Sequence, residues 1–250
     1  MGRTPLFLAA KNGYSDIVEY LLRQKTLSKY QDAWFRGGSP ISWAVINGHE
    51  DVVRVLLEYK QASVNSRHEL PLDSLSSRDS TTYTWHRRDS EFSLLFLAYL
   101  HNHASIVSCL LTRPDFCVSQ FDLEDAARVD RADILRLLLE HHRRTAPEFR
   151  RDVLCDLLPY AAEFGSSNVV QCLATEYGVP VDTLDHYTRI ALQRAVRGGF
   201  EECVRGLVGL GADVEQQDDD GRSLLDLARE VGKTTFYRCI IIAFGSEGQH

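Results

Sequence analysis

Residues 4–22 read TPLFLAAKNGYSDIVEYLL, and this stretch decides the fold. Thr4 can cap the N-terminus of a helix, and Pro5 fits the first helical position, where no backbone N–H is needed. Gly13 suits the left-handed residue that ends a helix. From Ile17 onward, apolar residues recur at the spacing of one face of a second helix. The stretch therefore predicts two short helices joined by a tight turn.

The same pattern recurs seven times along the 250 residues, which indicates a repeat protein. The first helix of each unit carries an alanine: Ala9, Ala44, Ala98, Ala126, Ala161, Ala195 and Ala228. Four positions later comes a residue that tolerates a left-handed conformation: Gly13, Gly48, Asn102, Asp130, Gly165, Gly199 and Gly232. The second helix carries an apolar pair: Leu21-Leu22, Leu56-Leu57, Leu110-Leu111, Leu138-Leu139, Leu173-Ala174, Leu207-Val208 and Ile240-Ile241. No unit can bury its apolar stripes alone, so neighbouring units are expected to stack.

Counted from Thr4, the repeats are predicted to start near residues 4, 39, 93, 121, 156, 190 and 223 of a single domain that spans residues 1–250. After the second repeat, residues 60–92 form a long insertion. Insertions into repeat proteins fall in loops on one face, which is often the binding face. Residues 60–92 are therefore interpreted either as a solvated loop or as a finger that faces a ligand.

The chain resembles the ankyrin repeat family at several points. Residues 4–6, Thr-Pro-Leu, match the T-P-L signature of that family, and residues 39–41, Ser-Pro-Ile, match it in weakened form. Residues 48–57 match the family's second-helix pattern, and residues 211–221 resemble its hairpin between repeats. The resemblance implies an all-α, ankyrin-type helical repeat solenoid with hairpin loops between repeats. The histidine that usually follows T-P-L is absent, since Phe7 stands there in the first repeat.

Composition narrows the classes of partner. The chain carries 28 Lys and Arg against 35 Asp and Glu, a formal net charge of −7, and such a chain is a poor general binder of nucleic acid. No apolar run approaches the roughly 18 residues needed to span a membrane. The six cysteines form no C-x-x-C pair and are interpreted as reduced thiols. These features predict a cytoplasmic or nuclear protein that binds neither nucleic acid nor membrane.

A search for catalytic and metal-binding motifs is negative. Residues 232–234, Gly-Lys-Thr, resemble the end of a phosphate-binding loop, but Leu227 stands where its first glycine is required. The histidine pairs at 101 and 103 and at 141 and 142 lack the further ligands of a zinc site. We therefore predict no cofactor, no metal site and no catalytic residue, and the protein is not expected to be an enzyme.

The resemblance implies a binding site on the concave face, which the first helices and the hairpins line in ankyrin proteins. Aromatic and arginine side chains often dominate such recognition surfaces. The first helices contribute Trp43, His101, Arg128, Tyr160, Arg194 and Arg197, the hairpins contribute Trp34, Phe35, Arg36, His186 and Tyr187, and the insertion contributes Trp85, His86 and Arg87. Because guanidinium groups bind carboxylates, an acidic peptide or protein is a suitable partner.

Two functional hypotheses follow. In the first, which argues by fold analogy, the protein is an interaction module or scaffold that binds a partner protein in its concave groove. In the second, the groove under residues 60–92 belongs to a small-molecule binder or to an enzyme of the lyase, cyclase or hydrolase type. Titratable residues such as Glu124, Asp185 and Asp226 could supply its acid–base chemistry. An open groove favours a protein partner, and a deep apolar pocket favours a small ligand.

Overall fold

A computed structural model describes residues 4–24, 39–59, 67–69, 91–113, 116, 118–145, 151–182, 190–218 and 220–232. The chain divides into two compact units, Met1–Cys117 and Val118–His250. The described residues of the first unit form α1 (Pro5–Lys11), α2 (Ser15–Arg23), α3 (Pro40–Ile46), α4 (Glu50–Glu58), β1 (Arg67–Glu69), β2 (Glu91–Ser93), α5 (Leu94–Leu100) and α6 (Ala104–Leu111). Those of the second unit form α7 (Gln120–Arg128), α8 (Ala132–Thr145), α9 (Arg151–Glu163), α10 (Ser167–Thr175), α11 (Ala191–Gly198), α12 (Glu201–Gly209) and α13 (Leu224–Val231).

Hydroxyl caps determine where several of the first helices begin. In each case the side-chain oxygen of the cap accepts a hydrogen bond from the backbone N–H three residues later, which satisfies a donor that the helix leaves open. The caps are Thr4, Ser39, Ser93, Ser119 and Ser223. Pro5 and Pro40 occupy the first turn of α1 and α3, where a missing N–H does no harm. These helix starts therefore depend on residues within a single turn of the helix.

One hydrogen bond explains why each repeat alanine is followed by a turn residue. All seven predicted turn residues are left-handed, with φ between 56° and 80°. In the six repeats where the residue after the turn is described, that residue donates its backbone N–H to the carbonyl oxygen of the alanine, as from Tyr14 to Ala9 over 3.0 Å and from His49 to Ala44 over 2.9 Å. This is the hydrogen bond of a Schellman C-cap, which closes the first helix and directs the chain into the second.

The repeat alanines also allow the first helices to pack closely. Their exposure is 0–4%. In the first unit α1 packs against α3 and α3 against α5, while in the second α7, α9, α11 and α13 pack in series. The second helices form a parallel layer, α2 with α4 and α6 in the first unit and α8 with α10 and α12 in the second. This architecture of stacked helix pairs confirms the predicted all-α helical repeat class.

A short antiparallel pair of strands was not predicted. β1 pairs with β2 so that Arg67 lies opposite Ser93 and Glu69 opposite Glu91. β1 lies within the predicted insertion 60–92 and β2 at its end, directly before α5. The remainder of the insertion lies outside the described residues. The two interpretations of it, a solvated loop and a finger that faces a ligand, therefore both stay predictions.

The helix boundaries of the second unit differ from the pattern of the first repeat. α7 is capped by Ser119, before the repeat start predicted near 121. α9 begins at Arg151, upstream of the start predicted near 156, and it contains Pro159 in its interior. A proline inside a helix removes one main-chain hydrogen bond, so the helix must be held by packing on its neighbours. α9 has such neighbours, since it packs against α7, α10 and α11.

Candidate binding surface on the inner helices

The first helix of each repeat is called here an inner helix, and the second an outer helix. Six of the residues proposed for binding lie in the described part of the chain: Trp43, His101, Arg128, Tyr160, Arg194 and Arg197. Each lies on an inner helix or at its C-terminal cap. The others lie outside the described residues: Trp34, Phe35, Arg36, Trp85, His86, Arg87, His186 and Tyr187.

Trp43 of α3 is held between two residues of the neighbouring helix α1. The ring of Phe7 meets it edge-on, with 6.1 Å between the ring centroids. The ammonium group of Lys11 lies over its face, 4.1 Å from the centroid, in a cation–π contact. The indole Nε1 atom is buried and has no hydrogen-bond acceptor among the described residues. A buried indole N–H usually finds an acceptor, so this donor is an exception to the usual pattern.

His101, at the C-terminal cap of α5, stacks on His103, with 6.3 Å between the ring centroids. Burial lowers the pKa of His101 below that of an ordinary histidine, and the nearby His103 lowers it further. The imidazole is therefore neutral at pH 7. Its Nε2 atom is buried without a hydrogen-bond partner in the described part of the chain.

In the second unit, α7 and α9 bring together an ion pair and two aromatic rings. Arg128 pairs with Asp125 one turn earlier on α7, at 2.5 Å. The guanidinium group of Arg128 also lies over the ring of Phe164, 5.5 Å from its centroid. Phe164 in turn packs against Tyr160 of α9, with 5.0 Å between centroids. These contacts fix the orientation of the Arg128 guanidinium group.

α11 extends the same arrangement. Arg194 is buried on α11 and forms an ion pair with Glu163 at the end of α9. We name the set Asp125, Arg128, Tyr160, Glu163, Phe164 and Arg194 the inner-helix cluster. Arg197, one turn beyond Arg194, pairs with Asp218 at 2.6 Å. Three of the predicted site residues thus meet in one cluster, and Arg197 lies beside it.

Burial changes the ionisation of the inner-helix cluster. It raises the pKa of the Tyr160 hydroxyl, an effect that the charge of Arg128 partly offsets. It also lowers the pKa of Arg194, and the positive charge of Arg197 lowers it further. Tyr160 therefore stays a neutral hydroxyl that can donate a hydrogen bond, and Arg194 lies where an additional negative charge would be favourable.

Glu124 lies on α7 next to the cluster. Burial raises the pKa of its carboxyl group, while the hydrogen bond from Gln120 lowers it in part. Among the described residues no group of three or more His, Cys, Asp or Glu side chains is arranged to hold a metal ion. The cluster combines oriented hydrogen-bond donors with aromatic faces, and such groups are typical of protein–protein interfaces.

Phe164 was missed by the sequence analysis. It directly precedes Gly165, at the position that Asn12 occupies before Gly13 in the first repeat. This position at the end of an inner helix is a sequence signal that could have identified Phe164 as a site residue. Asp218, the partner of Arg197, was placed in a hairpin but was given no role. Its side chain also accepts a hydrogen bond from the backbone N–H of Arg222, 2.8 Å away, and so anchors Arg197 to the hairpin before α13.

Comparison with known proteins agrees with this architecture. The family model for ankyrin repeats (3 copies) matches residues 1–68, 123–218 and 157–238, together well over half of the chain. The crystal structure of the human ASB11 ankyrin repeat domain is 21% identical and superimposes with a TM-score of 0.66, covering 96% of this chain and 98% of that one. The ankyrin repeat domain of Bcl-3, a unique member of the IkappaB protein family, is 22% identical with a TM-score of 0.64, covering 97% and 98%. This chain belongs to the ankyrin repeat family.

Proposed function

We propose that this protein is an interaction module or scaffold that binds a partner protein on its inner-helix surface, and that the inner-helix cluster binds an acidic segment of that partner. The observation that carries the proposal is the convergence of Arg128, Tyr160 and Arg194. They come from three successive inner helices, α7, α9 and α11, and against the larger effect of burial the charges of Arg128 and Arg194 both lower the pKa of the Tyr160 hydroxyl. Only a ligand that extends across several repeats would use all three.

Membership of the family supports the broader part of this proposal. Ankyrin repeat domains are typically protein–protein interaction modules and generally not enzymes. The finer part, an acidic segment bound at this cluster, rests on the side chains themselves. Tyrosine and arginine are among the residue types enriched at the energetic centres of interfaces.

Electrostatics supports an acidic partner. The charge of Arg194 is disfavoured by burial and by the nearby Arg197. A carboxylate of the partner placed between these two guanidinium groups would offset both effects and could be bound bidentately. The hydroxyl of Tyr160 would donate to the same segment. The ion pairs with Asp125 and Glu163 limit binding to ligands that can compete for, or share, the arginine donors.

The small-molecule alternative gains no support from the described residues. Of its suggested acid–base groups, Glu124 accepts a hydrogen bond from Gln120 and Asp226 caps α13 through Ser223, while Asp185 lies outside the described residues. We also propose a cytoplasmic or nuclear location. Its support is that the four described cysteines, Cys109, Cys155, Cys172 and Cys203, are free thiols, as in proteins of reducing compartments.

The experiment is a binding titration of the full chain with a panel of fluorescent peptides rich in Asp and Glu, each matched by its Asn and Gln version. We expect at least one acidic peptide to bind and its neutral version to bind at least about tenfold more weakly. Raising the salt concentration should weaken binding of the acidic peptide.

Variants locate the site. Tyr160→Phe and Arg128→Gln should each weaken binding of the acidic peptide by about tenfold or more, because each removes a central hydrogen-bond donor. Arg205→Gln is the matched control, since Arg205 lies on the outer helix α12 and pairs with Glu201 and Glu202. If Arg205→Gln weakens binding as much as Arg128→Gln does, or if acidic and neutral peptides bind alike, the inner-helix cluster is not the acidic binding site.

A further inference from the structure

Two histidines meet at the junction between the second and third repeats, and we name His101 and His103 the histidine pair. Their rings are nearly parallel, with an interplanar angle of 15° and 6.3 Å between the centroids. His103 joins the two repeats, because its Nε2 atom donates a hydrogen bond over 3.0 Å to the backbone carbonyl oxygen of Ile46, the last residue of α3. A charge on His101 would therefore act directly on a contact between the repeats.

The surroundings of His101 offer no counter-charge for a protonated imidazole. Helices α3 and α6 pack on α5, and neither carries a charged residue. The titratable side chains of these three helices are Tyr99 on α5 and Cys109 on α6, and both are uncharged at neutral and acidic pH. Strand β2, which also packs on α5, carries Glu91. That residue precedes α5 whereas His101 follows it, so the seven-residue helix, about 10 Å long, separates the two.

Burial without a counter-charge determines how His101 responds to pH. Its Nε2 atom is buried and has no hydrogen-bond partner among the described residues. Burial therefore lowers the pKa of His101, and the nearby His103 lowers it further. When the folded pKa lies below the unfolded one, the unfolded chain binds more protons. The stabilising contribution is then complete above about pH 6.5, the ordinary pKa of a histidine, and is lost as the pH falls through the lower pKa of the folded state.

We propose that the histidine pair is an acid-sensitive switch, which holds the second and third repeats together at neutral pH and lets them separate in acid. Protonation of His101 places an uncompensated charge beside His103, and that charge is relieved when the repeats move apart and water reaches the imidazole. The same movement breaks the hydrogen bond between His103 and Ile46. Mild acidification therefore acts on the first unit in the range where histidine is the side chain that changes charge.

The test is urea denaturation of the full chain at a series of pH values from about 7.5 to about 5.5, the range in which a histidine titrates. Tryptophan fluorescence is the readout, because all three tryptophans of the chain belong to the first unit: Trp34, Trp43 and Trp85. We expect the denaturation midpoint of the unaltered chain to fall as the pH falls.

His101→Asn removes the titrating group and keeps the cap. Asn12 and Asn47 occupy the same C-cap position in the first two repeats, so asparagine fits there. At least about half of the acid-induced loss should be absent from His101→Asn. His142→Asn is the matched control, since His142 lies on α8 in the second unit and its replacement should leave the pH dependence of the fluorescence midpoint unchanged.

Nuclear magnetic resonance of the unaltered chain provides a second measurement that does not depend on a variant's stability. The imidazole signal of His101, identified by its absence from His101→Asn, should titrate below the range of an ordinary histidine and return to that range in urea. Three results would overturn the proposal. They are a midpoint that stays constant from pH 7.5 to 5.5, an equal loss in His101→Asn, and an ordinary titration of His101 in the folded chain.

Discussion

The Nε2 nitrogen of His49 donates a hydrogen bond to the backbone carbonyl oxygen of Lys11, 3.0 Å away, and so joins the second repeat to the first. A carbonyl oxygen can only accept, so Nε2 carries the proton. His103 makes the same bond to the carbonyl oxygen of Ile46, also over 3.0 Å. The T-P-L histidine that the sequence lacks is thus not required for hydrogen bonds between these repeats. Two histidines at the start of outer helices supply them.

Replacing His49 should destabilise the first unit. His49→Ala removes a partly buried hydrogen bond and the packing of the ring over Gly13, so we expect the free energy of unfolding to fall by about 1–2 kcal/mol. Asn47→Ala is the comparison, because Asn47 donates to the same oxygen from an exposed position, over 2.9 Å. Chemical denaturation should show the larger loss for His49→Ala. Equal losses would mean that burial of the imidazole contributes nothing.

Gly165 and Gly178 separate backbone strain from steric overlap. Both have positive φ, at 75° and 63°. A Cβ atom on Gly165 would lie 2.4 Å from the ring of Phe200, whereas one on Gly178 would meet nothing within 4 Å. Gly178→Ala should therefore lower stability by about 1 kcal/mol, and Gly165→Ala by at least about 1 kcal/mol more. Thermal unfolding of the two variants measures this difference. Equal stability of the two variants would contradict the steric overlap at position 165.

Leu57 and Leu139 test the packing of the outer helices. Each is 2% exposed, so Leu→Ala at either position should lower the free energy of unfolding by about 2–5 kcal/mol. Leu8→Ala serves as the control, because Leu8 is an exposed residue on α1. Its effect should be below about 1 kcal/mol. If both core changes had effects as small as that of Leu8→Ala, the predicted repeat alignment would be wrong.

The cap of α13 should make stability depend on pH. Asp226 accepts hydrogen bonds from the hydroxyl of Ser223 over 2.6 Å and from its backbone N–H over 3.2 Å, and these bonds hold the pKa of Asp226 below its usual value. A depressed pKa in the folded state stabilises the fold above the unfolded pKa, and this contribution is lost as the pH falls through the folded pKa. Asp226→Asn should therefore be less stable than the unaltered chain at neutral pH.

This difference should begin to shrink as the pH falls below about 4, the ordinary pKa of an aspartate, and should be lost below the depressed pKa of the folded state. Denaturation midpoints of the two proteins across the acid range provide the measurement. Asp16→Asn on α2 is the control, because the N-cap there makes no side-chain hydrogen bond. A difference between Asp226→Asn and the unaltered chain that stays constant with pH would contradict the role assigned to the carboxylate.

The sequence by itself determined the repeat and its turns. The spacing of Ala9 and Gly13 predicts a helix end that a local hydrogen bond closes, and Asn102 and Asp130 could be recognised as substitutes for glycine because both tolerate left-handed backbone. Such features depend on residues within one turn of a helix. The cap at Thr4 is local in the same sense, which is why residue type and spacing were enough to identify it.

Tertiary structure alone decided which side chains meet and which face stays open. Arg128, Tyr160 and Arg194 could be placed on inner helices, but their convergence with Phe164 depends on how far α7, α9 and α11 lie from one another. The formation of α9 likewise depends on neighbours that hold the helix through Pro159. Ile17 and Val52 have the same place in the repeat pattern, yet one is 48% exposed and the other 1%. The physical reason is that burial and ion pairing are properties of the stack, whereas helix ends are properties of the local chain.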